Sequence, residues 1–399
     1  CIILIQGGES MKIYKAYKFR IYPNSEQQIF INKTLGCTRF IYNHYLTEKK
    51  QAYEQSKINL KIKDCIKDLP NLYEKYPWLK EIDSMSLRTT LFDLEDAYKR
   101  FFNKQTDFPK YKNKFKKNSY RTNCIKNNYK EKEYQNIKLD IKNHTITLPK
   151  LKEMKIKGYR KTKEINGRIV NATISKESDR YYVSVLYEQD IENKQVIPRT
   201  IIGIDLGVKD LVITNYGEKL TNEKHIKKYE EKIKNLQRWL SKKEKGSKNY
   251  YKIKKKIQVA YRKLKNARKY SIHYITKRIT EENDIIVSEK LQIKNMLKET
   301  KLNKYILDAS LSEIIRQLEY KSKWKNKKFY QVETYYPSSQ ICSNCKTKNK
   351  EIKNLNVRNW QCQNCNYEHD RDINAAINIM DKGLEYYLKE ITKTEVTSK

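Results

Sequence analysis

The stretch Ile201-Ile202-Gly203-Ile204-Asp205-Leu206-Gly207 decides how this chain is read. Apolar residues run without a break up to one carboxylate. That pattern predicts a strand buried on both faces that delivers an acid near its end. Gly203 and Gly207 leave room for backbone or a ligand to come close. Val212-Ile213-Thr214 follows at hairpin distance and is expected to pair with this strand. Asp284-Ile285-Ile286-Val287-Ser288-Glu289 repeats the pattern, an apolar strand closed by an acid. A third acid comes from His369-Asp370-Arg371-Asp372-Ile373-Asn374-Ala375-Ala376, ahead of a helix expected over Ile373 to Met380.

An acid at a strand end is commonly a turn or cap residue. Three of them, carried by two strand ends and a helix start, can converge although far apart in sequence. Asp205, Glu289 and one of Asp370 or Asp372 would suit two Mg²⁺ ions, which prefer oxygen ligands and keep positions open for phosphate. Paired metals of this kind clamp an in-line displacement at phosphorus, so the reaction served is phosphodiester hydrolysis. Spacing alone does not choose between Asp370 and Asp372, and one of the two is free simply to cap the helix.

Just upstream lie two CxxC pairs, Cys342-Ser343-Asn344-Cys345 and Cys362-Gln363-Asn364-Cys365, with sixteen residues between them. Two such knuckles can wrap one tetrahedral Zn²⁺, and a four-cysteine site is closed, hence structural. His369 is then not needed as a ligand and is expected near the acidic centre or in solvent. Cys1, Cys37, Cys65 and Cys124 show no paired spacing and read as free thiols of a reducing cytosol.

The charge balance points the same way. The chain has 399 residues, with 85 Lys and Arg against 47 acids, a net charge of +38. An excess that large calls for a polyanionic partner, DNA or RNA. AT-rich coding favours Lys, Asn, Ile and Tyr, but it does not account for so few acids. Many of the 32 tyrosines adjoin lysines, which suits stacking on bases and core packing alike. No apolar run approaches the length of a membrane span. Residues 1–10 lack the basic start of a signal peptide, and Met11 is expected to be the natural start, with those ten residues extraneous.

The rest of the chain places these motifs. Lys12 to Tyr22 reads as a strand, and Ser25, after Pro23-Asn24, as the N-cap of a helix. Helical patterning continues from Thr38 to about Phe102, with Leu87, Leu91, Leu94, Tyr98 and Phe101 on one face. Phe108-Pro109-Lys110-Tyr111-Lys112 leads into a basic, irregular stretch to about Tyr134. Short strands follow at Ile146–Pro149, Ala172–Ser175 and Tyr181–Val185, so a β-unit is split by a helical insertion. Between the first two acid strands, apolar positions at Ile226, Tyr229, Ile233, Leu236 and Leu240 predict one helix. After Gly246-Ser247, those at Ile253, Ile257, Ala260, Leu264 and Ala267 predict its partner in a basic helical hairpin. A helix from Ile306 to Trp324 and a strand Phe329–Val332 precede the cysteines, and the tail Ile391–Lys399 reads as polar and loose.

In order, these segments resemble the TnpB family, RNA-guided nucleases encoded by insertion-sequence transposons and related to type V CRISPR effectors. Lys15-Ala16-Tyr17-Lys18-Phe19-Arg20-Ile21-Tyr22-Pro23 looks like the family's opening strand. Ser86-Leu87-Arg88 through Phe101-Phe102 and then Phe108 to Lys112 resemble its recognition segment. Gly203 to Gly207, Glu289 to Met296, and Cys362 to Ile379 resemble the three RuvC motifs, the last with its zinc ribbon. The resemblance selects Asp372 over Asp370 as the catalytic acid. Lys290 departs from it, since many relatives carry Asp or Asn there.

The resemblance implies a multi-domain α/β protein. A wedge-type β-barrel would occupy 11–37 and 126–199, with a helical recognition lobe at 38–125. An RNase H-like RuvC nuclease would occupy 200–334 and 369–385, with a zinc ribbon at 335–368 and a polar tail at 386–399. It implies an RNA-guided DNA endonuclease using two Mg²⁺ and one structural Zn²⁺. The partners would be a guide RNA and double-stranded target DNA beside a short motif, with no membrane and with a monomer favoured. The rival readings are a guided but cleavage-silent repressor, an unguided RNase H-fold transposase or resolvase, and a plain zinc-ribbon binder that leaves the acids unexplained.

Overall fold

The computed structural model describes residues 10–114, 118–129, 132–158, 165–192, 197–207, 210–221, 225–291, 310–354 and 357–397. Residues 1–9, the part of the second motif beyond Leu291, and the expected helix start at 306–309 lie outside them. The chain divides into two compact units, one of residues 10–191 and one containing 192–399. No described helix is long and apolar enough to cross a membrane.

The first unit begins with β1 (Ser10–Tyr22), α1 (Ser25–Ser56), α2 (Ile62–Lys75) and α3 (Ser84–Phe102). Asn24, not Ser25, is the N-cap of α1. Its side chain accepts from the Gln27 N–H at 2.8 Å, and the Gln27 side chain accepts from the Asn24 N–H at 3.0 Å, a closed capping box. Next come β2 (Asn118–Asn123), β3 (Lys126–Tyr129), β4 (Lys132–Gln135), β5 (Lys138–Asp140), β6 (Thr145–Leu148), β7 (Lys152–Lys157), β8 (Arg168–Glu177) and β9 (Arg180–Glu192). The stretch expected to be irregular up to Tyr134 therefore carries three strands. Asn118–Asn123 hides its alternation, because its inward residues are Tyr120 and Thr122 among polar neighbours. Tyr120 joins the sheet core and Thr122 donates to Asp83, the N-cap of α3, at 2.6 Å, so one of the strand's two inward positions is held by a hydrogen bond.

Seven strands form one sheet in the order β2-β8-β9-β1-β7-β6-β5, drawing β1 from before the helices and the others from after them. Its core joins Phe19, Ile21, Ile146, Ile174, Val183 and Val185 to Ile31 and Leu35 of α1. A separate core of Leu46, Leu69, Leu72, Leu87, Leu91 and Leu94 holds the helices together.

The second unit contains β10 (Ile201–Asp205), β11 (Asp210–Thr214), β12 (Lys219–Thr221), α4 (His225–Ser241), α5 (Lys248–Glu282), β13 (Ile285–Glu289), α6 (Leu311–Trp324) and β14 (Lys328–Val332). The short pair β15 (Asn359–Gln361) and β16 (Glu368–Asp370) then leads into α7 (Arg371–Thr397). Five strands are ordered β12-β11-β10-β13-β14, with β10, β13 and β14 parallel and β11 antiparallel to β10. Ile202, Ile204 and Ile286 face α5 and α6 through Ile272, Ile275, Leu311 and Ile314. The opposite face meets α7, where Ile285, Val287 and Val332 pack with Ile379.

α7 runs well past Met380, and the tail expected to be loose is helical to Thr397. Two partners at the sheet edge hold it, since Glu390 accepts from Lys328 Nζ at 2.6 Å and from Tyr330 Oη at 2.5 Å. Glycine sets how closely α7 lies. A Cβ at Gly203 would stand 2.1 Å from the Ala376 carbonyl oxygen, and one at Gly383 would stand 2.2 Å from Val287 Cγ2. Gly203→Ala is therefore expected to destabilise this unit by about 2 kcal/mol or more, as overpacking against backbone does. Urea unfolding measures it, and a wild-type midpoint would mean that α7 does not rest on β10.

Candidate active centre and the neighbouring cysteine cluster

Strand geometry brings Asp205 and Glu289 together. β10 and β13 are parallel neighbours with Gly203 opposite Val287 and Ile204 opposite Ser288. The next residue on each strand is the acid, so the two carboxylates stand side by side at the C-terminal ends. Side chains alternate along a strand, so Asp205 shares a face with Gly203, and Glu289 shares one with Val287. Both faces are the one covered by α7. That helix starts with Arg371 and Asp372, which places the third acid at the same end of the sheet.

The electrostatics follow from this convergence. Burial raises the Asp205 carboxyl well above its usual range, and the nearby Asp372 charge adds to the rise. Burial also raises Glu289, followed by the Asp205 charge and the hydrogen bond between the two acids. Each acid thus resists ionising beside the other, as neighbouring buried carboxyls do. A divalent cation removes that penalty. Carboxylate oxygens are donors of the kind that Mg²⁺ takes.

Asp370 and Asp372 have different surroundings. Asp370 Oδ1 accepts from the backbone N–H groups of Asp372 and Ile373 at 3.0 and 3.2 Å, the bonds of an N-cap. Its other oxygen pairs with Lys219 Nζ at 2.6 Å. Burial pushes its carboxyl up, but Lys219 and those N–H groups outweigh this and leave it lowered. Asp372 is held by Arg358, with Nη1 3.3 Å from both carboxylate oxygens. Arg358 is largely exposed, so the contact can yield to another ligand.

The four cysteines Cys342, Cys345, Cys362 and Cys365 gather with all their sulfurs within 4.8 Å of one another. Cys342 and Cys365 stand 3.6 Å apart, as do Cys345 and Cys362. Four thiolates about 2.3 Å from a zinc would form a tetrahedron with edges of about 3.8 Å, so the cluster fits that ion. His369 lies neither at the acids nor in solvent. It is 5 % exposed, with Nε2 3.1 Å from Cys342 Sγ and its ring against Trp360 and Tyr367. β16 pairs Trp360 opposite His369, which turns the imidazole into the cysteine cluster rather than toward its neighbours in sequence.

Three supporting residues escaped the sequence reading. Asn374 and Asn378, one turn apart on α7, are almost fully buried. Their amide nitrogens donate to the Ile341 carbonyl at 2.8 and 2.7 Å, and Asn374 Oδ1 accepts from the Ser343 N–H at 2.9 Å. They tie the first cysteine knuckle to the helix that starts with Asp372. Arg371, also buried, donates to the Val357 and Asn354 carbonyls beneath the second. The detectable signal was the Asn-x-x-x-Asn spacing inside an otherwise apolar helix face, and a cation between two acids.

Three family models match the chain: "Helix-turn-helix domain" over residues 11–57, "Probable transposase" over 184–300 and "Cas12f1-like, TNB domain" over 312–379. In this chain residues 11–57 form β1 and the single helix α1. The fold is that of an effector of the Cas12f type. A Cas12f1 chain from a complex with guide RNA and target DNA superposes with a TM-score of 0.57 at 15% identity, covering 92% of this chain and 99% of that one. A protein of Streptomyces pristinaespiralis named "Putative RNA-guided DNA endonuclease" is 32% identical, over 94% of this chain and 90% of its own. "Putative RNA-guided DNA endonuclease InsQ" of Escherichia coli K12 is 30% identical, over 94% of this chain and 93% of its own. The chain belongs to the TnpB family.

Two outcomes are expected. Purified protein should carry about one zinc per chain, and Cys345→Ser should lose the metal and lower the melting temperature, since a structural zinc contributes folding energy directly. Elemental analysis showing no zinc in active protein would refute the cluster's role. For the metal-free protein, both Asp205 and Glu289 have folded values above their unfolded ones. Their penalty is absent below about pH 4, where both states are protonated, and grows as pH rises toward the folded values. Glu289→Gln should therefore raise the metal-free melting temperature by at least about 2 °C at alkaline pH and much less near pH 4. Equal melting curves at both pH values would refute the buried-pair reading.

Proposed function

We propose that this chain is an RNA-guided DNA endonuclease in which Asp205, Glu289 and Asp372 form the catalytic centre of a RuvC-like, RNase H-type domain. In this reading residues 200–334 and 369–385 make the nuclease and 335–368 its zinc ribbon. Residues 11–37 and 126–199 make a wedge-type β-barrel, with the recognition helices of 38–125 inserted between its two parts. The reading is supported by two carboxylates side by side at parallel strand ends and a third at the start of the helix that covers the same face.

Asp205 and Glu289 would hold metal from the sheet, and Asp372 from the start of α7. Two bound Mg²⁺ ions would supply charge stabilisation on the phosphoryl oxygens of the cleaved strand. The chain's own part is positional. The strand register fixes Asp205 beside Glu289, Asp370 and the asparagines fix the start of α7, and Arg358 keeps Asp372 oriented until a ligand displaces it. Zinc on the four cysteines would hold the loops that Asn374, Asn378 and Arg371 grip. Guide RNA pairing selects the target DNA, which leaves the protein to bind backbone and a short adjacent motif.

The test uses protein purified with its RNA, plus a plasmid carrying the matching target. Asp205→Ala should lower cleavage by about 10³-fold or more while guided DNA binding persists. Removing Mg²⁺ with a chelator should do the same reversibly. An Asp205→Ala variant that cuts at the wild-type rate would overturn the metal assignment. Cleavage indifferent to added RNA would favour an unguided nuclease.

A further inference from the structure

The α4–α5 hairpin takes no part in the chemistry above, yet its charge is strongly one-sided. Residues 225–282 hold 20 Lys and Arg against 5 Glu and no Asp. Its two inner faces are accounted for. Ile257, Ala260 and Leu264 pack on Ile233 and Leu236 of α4, while Ile272, Ile275 and Ile279 pack on the sheet. The outer face of α5 carries Lys252, Lys256, Lys263, Tyr270, Tyr274 and Lys277, all exposed. Their steps of four, seven, seven, four and three keep them on one side of the helix, over about 37 Å.

This is not how a solvated face is built. Such faces intersperse acids with lysines at i,i+4. Here Lys252, Lys256 and Lys263 have no carboxylate partner among the described residues, and Lys277 reaches only Glu281 at 3.7 Å. Tyr270 and Tyr274 are 68 % and 58 % exposed, one turn apart, and neither hydroxyl makes a hydrogen bond among the described residues. Two bare aromatic faces thus share a row with three lysines that no carboxylate pairs among the described residues, an arrangement suited to a ligand with both phosphates and bases.

The side-chain types identify it. Lysines without arginine suit phosphate rather than bidentate reading of base edges. Flat tyrosines gain only from unstacked bases. Duplex DNA hides its base faces, whereas folded RNA exposes them in loops and bulges. We propose that the outer face of α5 is a docking rail for the guide RNA, with Lys252, Lys256 and Lys263 on its phosphates and Tyr270 and Tyr274 stacked on unpaired bases. The choice of guide RNA as occupant rests on the function proposed above.

The probe is the RNA that co-purifies with the wild-type protein, sequenced, transcribed and labelled at its 5′ end. It is titrated by fluorescence anisotropy at several salt concentrations against wild type and two surface variants. Lys252→Gln/Lys256→Gln/Lys263→Gln should weaken binding about tenfold at low salt and flatten the slope of log K against log salt by about 2. Tyr270→Ala/Tyr274→Ala should weaken it about fivefold or more with the slope unchanged. Both variants binding as wild type overturns the rail, and so does a loss confined to duplex DNA of equal length. Guided plasmid cutting by the wild type separates the two readings. If it cuts and the variants bind normally, only the rail falls. If it binds RNA but never cuts under guidance, the nuclease falls and the titration alone judges the rail. If it retains no RNA, both fall.

Discussion

The backbone of α7 lies directly on the backbone of β10 at Gly203, and most of the candidate centre depends on that approach. With 2.1 Å between a would-be Cβ and the Ala376 carbonyl, only glycine allows the helix to sit there. Gly383 permits the same closeness from the helix side, against Val287. Because α7 cannot lift, its first turn is fixed relative to the strand ends that carry Asp205 and Glu289. The same rigid helix presents Asn374 and Asn378 to the cysteine knuckle. One helix thus sets the position of an acid and the seat of the metal cluster. Damage to the cluster should reach the acids through those two amides rather than through space.

Electrostatics supplies the opposite tendency. Packing forces three acids together, and the charges resist. The fold answers unevenly, with Lys219 and a helix cap satisfying Asp370, Arg358 holding Asp372, and burial keeping Asp205 and Glu289 raised despite the Leu206 N–H and the Arg371 charge near Asp205. That unevenness is informative. Asp370 spends its oxygens on the helix start and on Lys219, whereas Asp205 and Glu289 stay raised by burial.

The sequence made much of this legible, for identifiable reasons. The strands ending in Asp205 and Glu289 are continuous apolar runs, which have few alternatives once both faces must be buried. The cysteine pairs announce themselves by spacing. What escaped was fixed by hydrogen bonds rather than by hydrophobic pattern. β2 hid because Thr122 is satisfied by Asp83, and Asn24 took the cap from Ser25 because Gln27 completes the box. The end of α7 read as loose because its anchor, Glu390, depends on Lys328 and Tyr330 sixty residues away. His369 was misplaced because a strand pairing with Trp360 outweighs nearness in sequence. Spacing left Asp370 and Asp372 level because the cap bonds that occupy Asp370 run to backbone N–H groups, which no side-chain pattern records.

Both departures from ordinary protein electrostatics have the same logic. The centre gathers negative charge that the fold cannot neutralise, and the outer face of α5 gathers positive charge that it does not pair. Each costs the isolated chain stability, through desolvated acids in one place and self-repulsion in the other. Each cost disappears when a partner of opposite charge binds, and any partner that binds only the folded state adds its binding energy to the fold. On the proposed function, cations at the acids and a polyanion along the lysines would each relieve one of these costs.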